Sequence, residues 1–401
     1  MTLTDALSDY RRERQPRVLD VAAAAAGRAP ALDERVAAAG LAGAPVSLDE
    51  LDRVAVLSKD SLPEQQSGRG FGGFVSDAAE VVRMFASPGP IYEPQLAGAD
   101  PWRWAPALAA CGIGSDDLVL NCFSYHLSPA GMMFDEACRA LGACVVPAGV
   151  GMTEVQARVV ADLGVTAFIG LPSYLSALSE TYRTAGLPAT RWQLGKALVT
   201  AEPLPQPLRE TLHATVAKVL MAYGTAEVGL IGFETEPDQG LRLGPDVFVE
   251  LCDPETGLPG SPDQPGEVVV SVLHESYPLL RFGTGDVSRW TLVDGELRLT
   301  GVLGRVGAAV KVRGMFIHPH QAGEVLTALR SDGLAEGAFV VDRVDDVDVL
   351  DLEVVAADGS DPEHLVAAAD RRCRDTLRVR PRVRMVPALD DVPVLRDRRS
   401  G

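Results

Sequence analysis

The sequence predicts an α/β protein in two parts. A large multi-layer N-terminal domain carries mostly parallel sheet plus an antiparallel β part, and a small α+β domain follows. Three observations lead there. The chain has 401 residues, more than one hydrophobic core usually covers. From roughly residue 115, short apolar runs alternate with helix-length amphipathic stretches, the rhythm of βαβ units. After Met221 the runs are divided by Asp-Pro-Glu-Thr-Gly and Pro-Gly turns, which reads as antiparallel β.

In chain order, residues 1 to about 60 are rich in Ala, Leu and Arg and read as a capping layer of helices. The parallel strands are expected at Leu118–Asn121, Cys144–Pro147, Thr166–Gly170, Ala197–Thr200 and Val216–Met221. Gly131–Leu141, Glu154–Leu163 and Ser173–Thr184 are the intervening amphipathic helices. Val247–Leu251, Gly266–Val272 and Glu296–Leu299 read as antiparallel strands. Beyond Arg305, strands at Ala338–Val341, Leu352–Ala356 and Val383–Val386 and a helix over Glu363–Leu377 make the small domain. The boundary is placed at Gly304, giving domains 1–304 and 305–401. Ligands of a parallel α/β sheet sit beyond the strand C-termini, where Thr200-Ala201-Glu202 and Tyr223 to Glu227 fall.

The formal net charge of −18 argues against a nucleic-acid or anionic-membrane partner, because phosphate backbones select Lys and Arg. Acidic and basic residues are mixed from Asp5 to Arg17, and Ala22–Ala26 is too short for a signal core or a membrane span. A soluble cytoplasmic protein is expected, and a homodimer is compatible with the sequence. The six cysteines contain no C-x-x-C pair, so neither a disulfide framework nor a zinc site is expected. His318 and His320 flank Pro319 on one strand face, without a third ligand to make a metal site.

Arg281 to Pro319 is the most informative stretch. It joins Thr284-Gly285-Asp286 to Gly304-Arg305 and to Lys311-Val312-Arg313-Gly314. A carboxylate on a glycine turn can accept from both hydroxyls of a ribose, and an arginine beside it can reach a phosphate. Upstream, Met221-Ala222-Tyr223-Gly224-Thr225-Ala226-Glu227 supplies an aromatic, a tight turn after a buried strand, and a second carboxylate. In this order the three pieces resemble the adenylate-forming enzymes, specifically the phenylacetate–CoA ligase branch, over roughly residues 65 to 325.

The resemblance implies an AMP-forming acid–thiol ligase using ATP, Mg²⁺ and CoA on a small carboxylic acid. An aryl or arylacetic acid is favoured by kinship and by Phe123, Tyr125 and Trp104 near the pocket. It implies that Glu227 holds the Mg²⁺ and serves catalysis with Thr225 and Arg305. Asp286 would bind the ribose hydroxyls, and Arg305 the ribose or a phosphate. Tyr223, next to Gly224, would stack on adenine, with Thr200, Ala201 and Glu202 lining the purine and Lys311 as a further nucleotide contact. Tyr125 and His126 would stand at the mouth of the acyl pocket, where Gly149 and Gly151 let the backbone approach the acid.

The chain departs from the family pattern in several places. Ala226 stands where a Thr or Ser usually precedes the glutamate, leaving Thr225 as the nearest hydroxyl. The Ser/Thr/Gly-rich phosphate loop is matched to Glu64–Phe74, which keeps its glycines but offers Arg69 in place of Lys. Gly307-Ala308 replaces an acidic pair after the hinge arginine. The tail 390–399 has no Lys, and Asp391 falls where most members present one. An anion there would cost on the order of several kcal/mol of transition-state stabilisation. Ser87-Pro88-Gly89-Pro90-Ile91-Tyr92-Glu93 is an unusual turn to which no chemistry is assigned. Two other readings therefore stay open. One passes the adenylated group to an amine, making an amide or N–N bond; the other is a degenerate relative that binds nucleotide or acyl-CoA without turnover.

Overall fold

Runs of Val, Leu, Ile and Ala four to eight residues long are too short for helices and bury both faces, so they become central strands. A computed structural model describes residues 1–87, 90–306, 310–312, 315–317, 319–344, 347–377, 379–389 and 393–399. They form two compact units, Met1–Val302 and Leu303–Gly401.

In the first unit, Cys144–Pro147, Leu118–Asn121, Ala167–Gly170, Lys196–Val199 and Lys218–Thr225 pair in that order, all parallel. The sheet continues antiparallel through Gly229–Phe233, Leu241–Leu243, Glu296–Leu299 and Trp290–Val293 to nine strands. Alternate residues feed separate cores, as the period of two requires. Val119, Ile169, Leu198 and Leu220 face helices Ala105–Cys111 and Ala130–Ala140. Leu120, Phe168, Val199 and Val219 face helices Thr153–Leu163, Pro172–Thr184 and Gln206–His213.

A second sheet runs Leu57–Ser58, Phe282–Ser288, Gly266–Val272, Val247–Cys252. Against it lie the N-terminal helices Leu3–Ala25, Pro30–Ala38 and Leu48–Arg53, whose Val18, Ala22, Leu32 and Leu51 pack with Phe248 and Leu280. The first helix starts at a capping box in which Thr2 Oγ1 accepts from Asp5 N at 3.1 Å and Asp5 accepts from Thr2 N at 3.0 Å. A hairpin, Val81–Ser87 with Ile91–Leu96, stands as its own two-stranded sheet.

Two expectations about turns are corrected. Tyr223-Gly224 is not a turn past the strand. The strand runs on to Thr225 and pairs antiparallel with Gly229–Phe233, so the turn is 226–228. Gly224 is needed for close approach, since a Cβ there would fall 2.3 Å from the Gly229 carbonyl oxygen. Thr284-Gly285-Asp286 likewise lies inside strand Phe282–Ser288, where the register against Gly266–Val272 shifts between Glu267 and Val269. That bulge, with Gly285 at φ 73°, re-aims Asp286.

The second unit is α+β. Long strands Leu334–Val344 and Val347–Ala356 pair antiparallel, flanked in parallel by Leu395–Asp397 and Arg382–Met385. Helices Pro319–Leu329 and Pro362–Thr376 contribute Val325, Leu329, Leu365 and Cys373 to a core with Phe339 and Leu352.

Candidate active site

The motifs that lie apart in sequence converge because two strands from different sheets meet. Tyr223 arrives on strand Lys218–Thr225 and Asp286 on strand Phe282–Ser288. The Tyr223 hydroxyl is 2.8 Å from Asp286 Oδ2 and 3.1 Å from Thr284 Oγ1. Tyr223 is 7% exposed and its ring belongs to the core between the sheets, so its hydroxyl orients the Asp286 carboxylate. Glu267, which the sequence did not single out, accepts from Gly285 N at 3.1 Å and pins the bulge. Burial, with the Asp286 charge adding to it, raises its carboxyl above the ordinary range.

Glu227 sits in the turn after Tyr223, and Thr225 Oγ1 closes that turn by accepting from Val228 N at 3.3 Å. The Glu227 side chain is fully buried, with Lys59 Nζ 2.8 Å from Oε1. The approach is an ion pair without hydrogen-bond alignment, so both carboxylate oxygens are buried with no hydrogen-bond partner among the described residues. Lys59 follows strand Leu57–Ser58, whose Ser58 pairs with Gly283; the register delivers the ammonium beside the Asp286 strand. Arg69, by contrast, pairs with Glu34 at 3.1 Å.

Lys59 and Glu93, like Glu267, are residues to which the sequence assigns no role, although Glu93 ends the unusual turn Ser87–Glu93. Glu93 is 1% exposed on strand Ile91–Leu96 and its Oε1 accepts from Ser87 Oγ at 2.5 Å. Burial pushes its carboxyl up to about 7, the Glu227 charge adding to this while Ser87 and Lys59 pull the other way. The one available signal was the hairpin itself, which points position 93 inward. An acid with a raised pKa keeps its proton in the folded state after the unfolded chain has lost its own. Stability should therefore fall as the pH rises from 4.5 to about 7 and stay flat above, by at most about 3 kcal/mol. Glu93→Gln should gain on wild type across that window in urea denaturation at several pH values. Parallel pH profiles would remove Glu93 from the account.

At the C-terminal end of Lys196–Val199, Thr200 is buried and Ala201 adopts φ 68°. Glu202 Oε2 accepts from Ser173 Oγ at 2.5 Å, holding the start of helix Pro172–Thr184. A left-handed alanine is strained, and Ala201→Gly should raise stability by about 1 kcal/mol. A thermal-melt midpoint that stays put or drops would show that no such strain exists.

The acyl-side residues gather past strands Leu118–Asn121 and Cys144–Pro147. The Tyr125 hydroxyl accepts from Asn121 Nδ2 at 2.8 Å and donates to Asp135 Oδ2 at 3.1 Å, whereas His126 is exposed. Gly149 and Gly151 have φ 66° and 77°; their carbonyls accept from Gln156 Nε2 at 3.1 Å and from the Tyr174 hydroxyl at 2.9 Å. Phe123 stacks on Phe134, which tilts against the buried Trp104. Arg305 lies on the short strand Gly304–Arg305 of the second unit. The side chains of Lys311 and His320, and residues Pro88, Gly89, Gly307, Ala308, Arg313, Gly314, His318 and Asp391, lie outside the described residues.

The chain is similar to known proteins over most of its length. The family model described as AMP-binding enzyme matches residues 108–273. A phenylacetate–coenzyme A ligase of Thermus thermophilus is 29% identical over 77% of this chain and 72% of its own length. One from Escherichia coli is 27% identical over 81% of this chain and 77% of its own. Among solved structures, an open conformation of 2-hydroxyisobutyryl-CoA ligase with 2-HIB-AMP and CoA superimposes with a TM-score of 0.78 at 25% identity, covering 95% of this chain and 90% of that one.

Proposed function

The chain belongs to the adenylate-forming, AMP-binding enzymes in their phenylacetate–CoA ligase-like branch, and from that premise we propose how it works and on what. It is an ATP-dependent carboxylate–CoA ligase. A carboxylate oxygen attacks the α-phosphorus of ATP, the bond to the bridging β-phosphate oxygen breaks, and pyrophosphate leaves with the electron pair. The CoA sulfur, its proton lost to solvent, then attacks the acyl carbon, and the bond to AMP breaks.

The observation that carries the site assignment is the Tyr223–Asp286 contact beside buried Glu227. Asp286 takes the ribose hydroxyls, its carboxylate oriented by Tyr223, and so fixes the α-phosphate in line for attack. Thr200-Ala201-Glu202 line the purine, while Tyr223, its ring in the core, acts through Asp286 and does not stack on adenine. The two buried Glu227 oxygens without hydrogen-bond donors suit a hard cation. Bound Mg²⁺ would neutralise the charge of the leaving pyrophosphate. Tyr125, His126, Gly149 and Gly151 border the acid. Phe123, partly buried and stacked on the core ring of Phe134, is the aromatic group beside Tyr125 and His126 that favours an aryl or arylacetic acid. Arg305 and Lys311 are the further proposed nucleotide contacts, and 305–401 is proposed as a small domain of its own. No described helix is long and apolar enough to cross a membrane; the cytoplasm, which supplies ATP and CoA, is the proposed location.

Pyrophosphate release from Mg-ATP over a panel of aryl, arylacetic and short aliphatic acids, followed by thioester detection with CoA, tests the reading. Acid-dependent release that ends in a CoA thioester supports it. Release that CoA does not accelerate points to an amine acceptor. ATP or acyl-CoA binding without any product would leave the degenerate reading.

A further inference from the structure

Glu93, Glu227 and Lys59 form a set that the adenylation chemistry leaves unexplained. Two carboxylates are 1% and 3% exposed, and the Lys59 ammonium pairs with the second, Glu227. Three of their four oxygens, Glu93 Oε2 and both of Glu227, are buried without a hydrogen-bond partner among the described residues. Pro94, next to Glu93 in the chain, lines one cavity with Glu227 and Tyr277, and Glu93 feels the charges of both Glu227 and Lys59. A buried oxygen with no donor is costly, and its persistence needs a reason. The Lys59 side chain is 29% exposed at the start of a 3-10 turn, on a flexible stem that can re-aim without moving the backbone.

We propose that Glu93 is a positioning residue that receives the Lys59 ammonium when a divalent cation takes Glu227. This rests on the proposed ligase reading. With no metal, Lys59 neutralises Glu227. A divalent cation cannot share Glu227 with an ammonium 2.8 Å from the same oxygen, because like charges at that separation repel strongly. Lys59 therefore leaves, and the orphaned Glu93 Oε2 accepts it. The cation is held against one carboxylate while the displaced ammonium stays compensated by the other, with no bare charge left inside the protein.

A double-mutant cycle on the full chain tests this, with Mn²⁺ as the probe. Its binding is titrated by electron paramagnetic resonance with and without ATP, for wild type, Glu93→Gln, Lys59→Met and the double variant, and urea midpoints verify folding. If Lys59→Met does not fold, Lys59→Gln, which keeps a donor for Glu227, replaces it. The swap predicts that Glu93→Gln weakens Mn²⁺ binding about tenfold, because Lys59 then stays on Glu227. Lys59→Met should tighten binding, and without Lys59 the Glu93 substitution should matter less than about threefold. Equal Glu93 effects with and without Lys59, or none in either, would overturn the proposal. ATP binding by wild type is the separate check: its absence would count against the ligase reading, whatever the cycle gives.

Discussion

Glu227→Gln should lower carboxylate-dependent pyrophosphate release from Mg-ATP by about 10²- to 10³-fold. The substitution keeps the shape of a side chain that is fully buried and removes only its charge. Two oxygens that lack hydrogen-bond donors become one oxygen and one amide, which is a poor ligand for a hard cation. The loss should fall on turnover more than on the KM for the acid, because the acid meets residues past other strands. Folding should suffer much less. Lys59, on a flexible and partly exposed stem, can pass its ammonium to the neighbouring Glu93 carboxylate. A variant that turns over within threefold of wild type would remove Glu227 from the chemistry.

The largest effect on stability is expected at Arg281. Arg281→Met should cost about 3–5 kcal/mol. The side chain is 1% exposed and its partner Glu250 is fully buried, Nε to Oε2 at 3.3 Å. The guanidinium also donates to the carbonyls of Asp52 at 2.7 Å, Val54 at 2.8 Å and Gly257 at 2.5 Å, tying the N-terminal layer to the strand that leads into Asp286. Methionine fills part of the volume but leaves three carbonyls without that donor, and Glu250 with Arg11, at 3.4 Å, as its remaining cation among the described residues. Burial already pushes Glu250 up to about 7 against the pull of Arg281. Without that pull its pKa rises further, so the variant should go on losing stability at pH values where wild type is flat. Urea midpoints at two pH values read both effects. A loss below about 1 kcal/mol would mean that the pair is dispensable, and replacing Arg281 and Glu250 together by apolar residues should restore much of the stability.

The two results bear on how much the sequence discloses. The strands at Leu118–Asn121 and Cys144–Pro147 and the helix ending at Leu163 were readable to the residue, because hydrophobic period and turn chemistry are local properties. The motif residues Tyr223, Glu227 and Asp286 stand out in the sequence, and the structure brings Tyr223 and Asp286 into contact. Their immediate backbone was misread. Tyr223-Gly224 and Thr284-Gly285-Asp286 contain turn-favouring residues, yet both lie in strands, where a bulge and close strand approach use the same glycines. Composition shows that a glycine is needed but not which close contact needs it.

Arg69 shows the same limit for charge. Arg69 is the cation that the glycine-rich segment offers, yet it meets Glu34, while Lys59 reaches Glu227 across 168 positions of sequence. Glu93 had no motif to announce it. Periodicity and side-chain chemistry, both legible in the sequence, were enough for the α/β class, the run of parallel strands and helices, and the carboxylates proposed for a ribose and a cation. Only the tertiary structure decided which charges face each other: the pairing of Ser58 with Gly283 and of Tyr223 with Gly232 brings Lys59, Asp286 and Glu227 into one place. Electrostatic energy depends on separation and burial, and neither is a property of position along the chain.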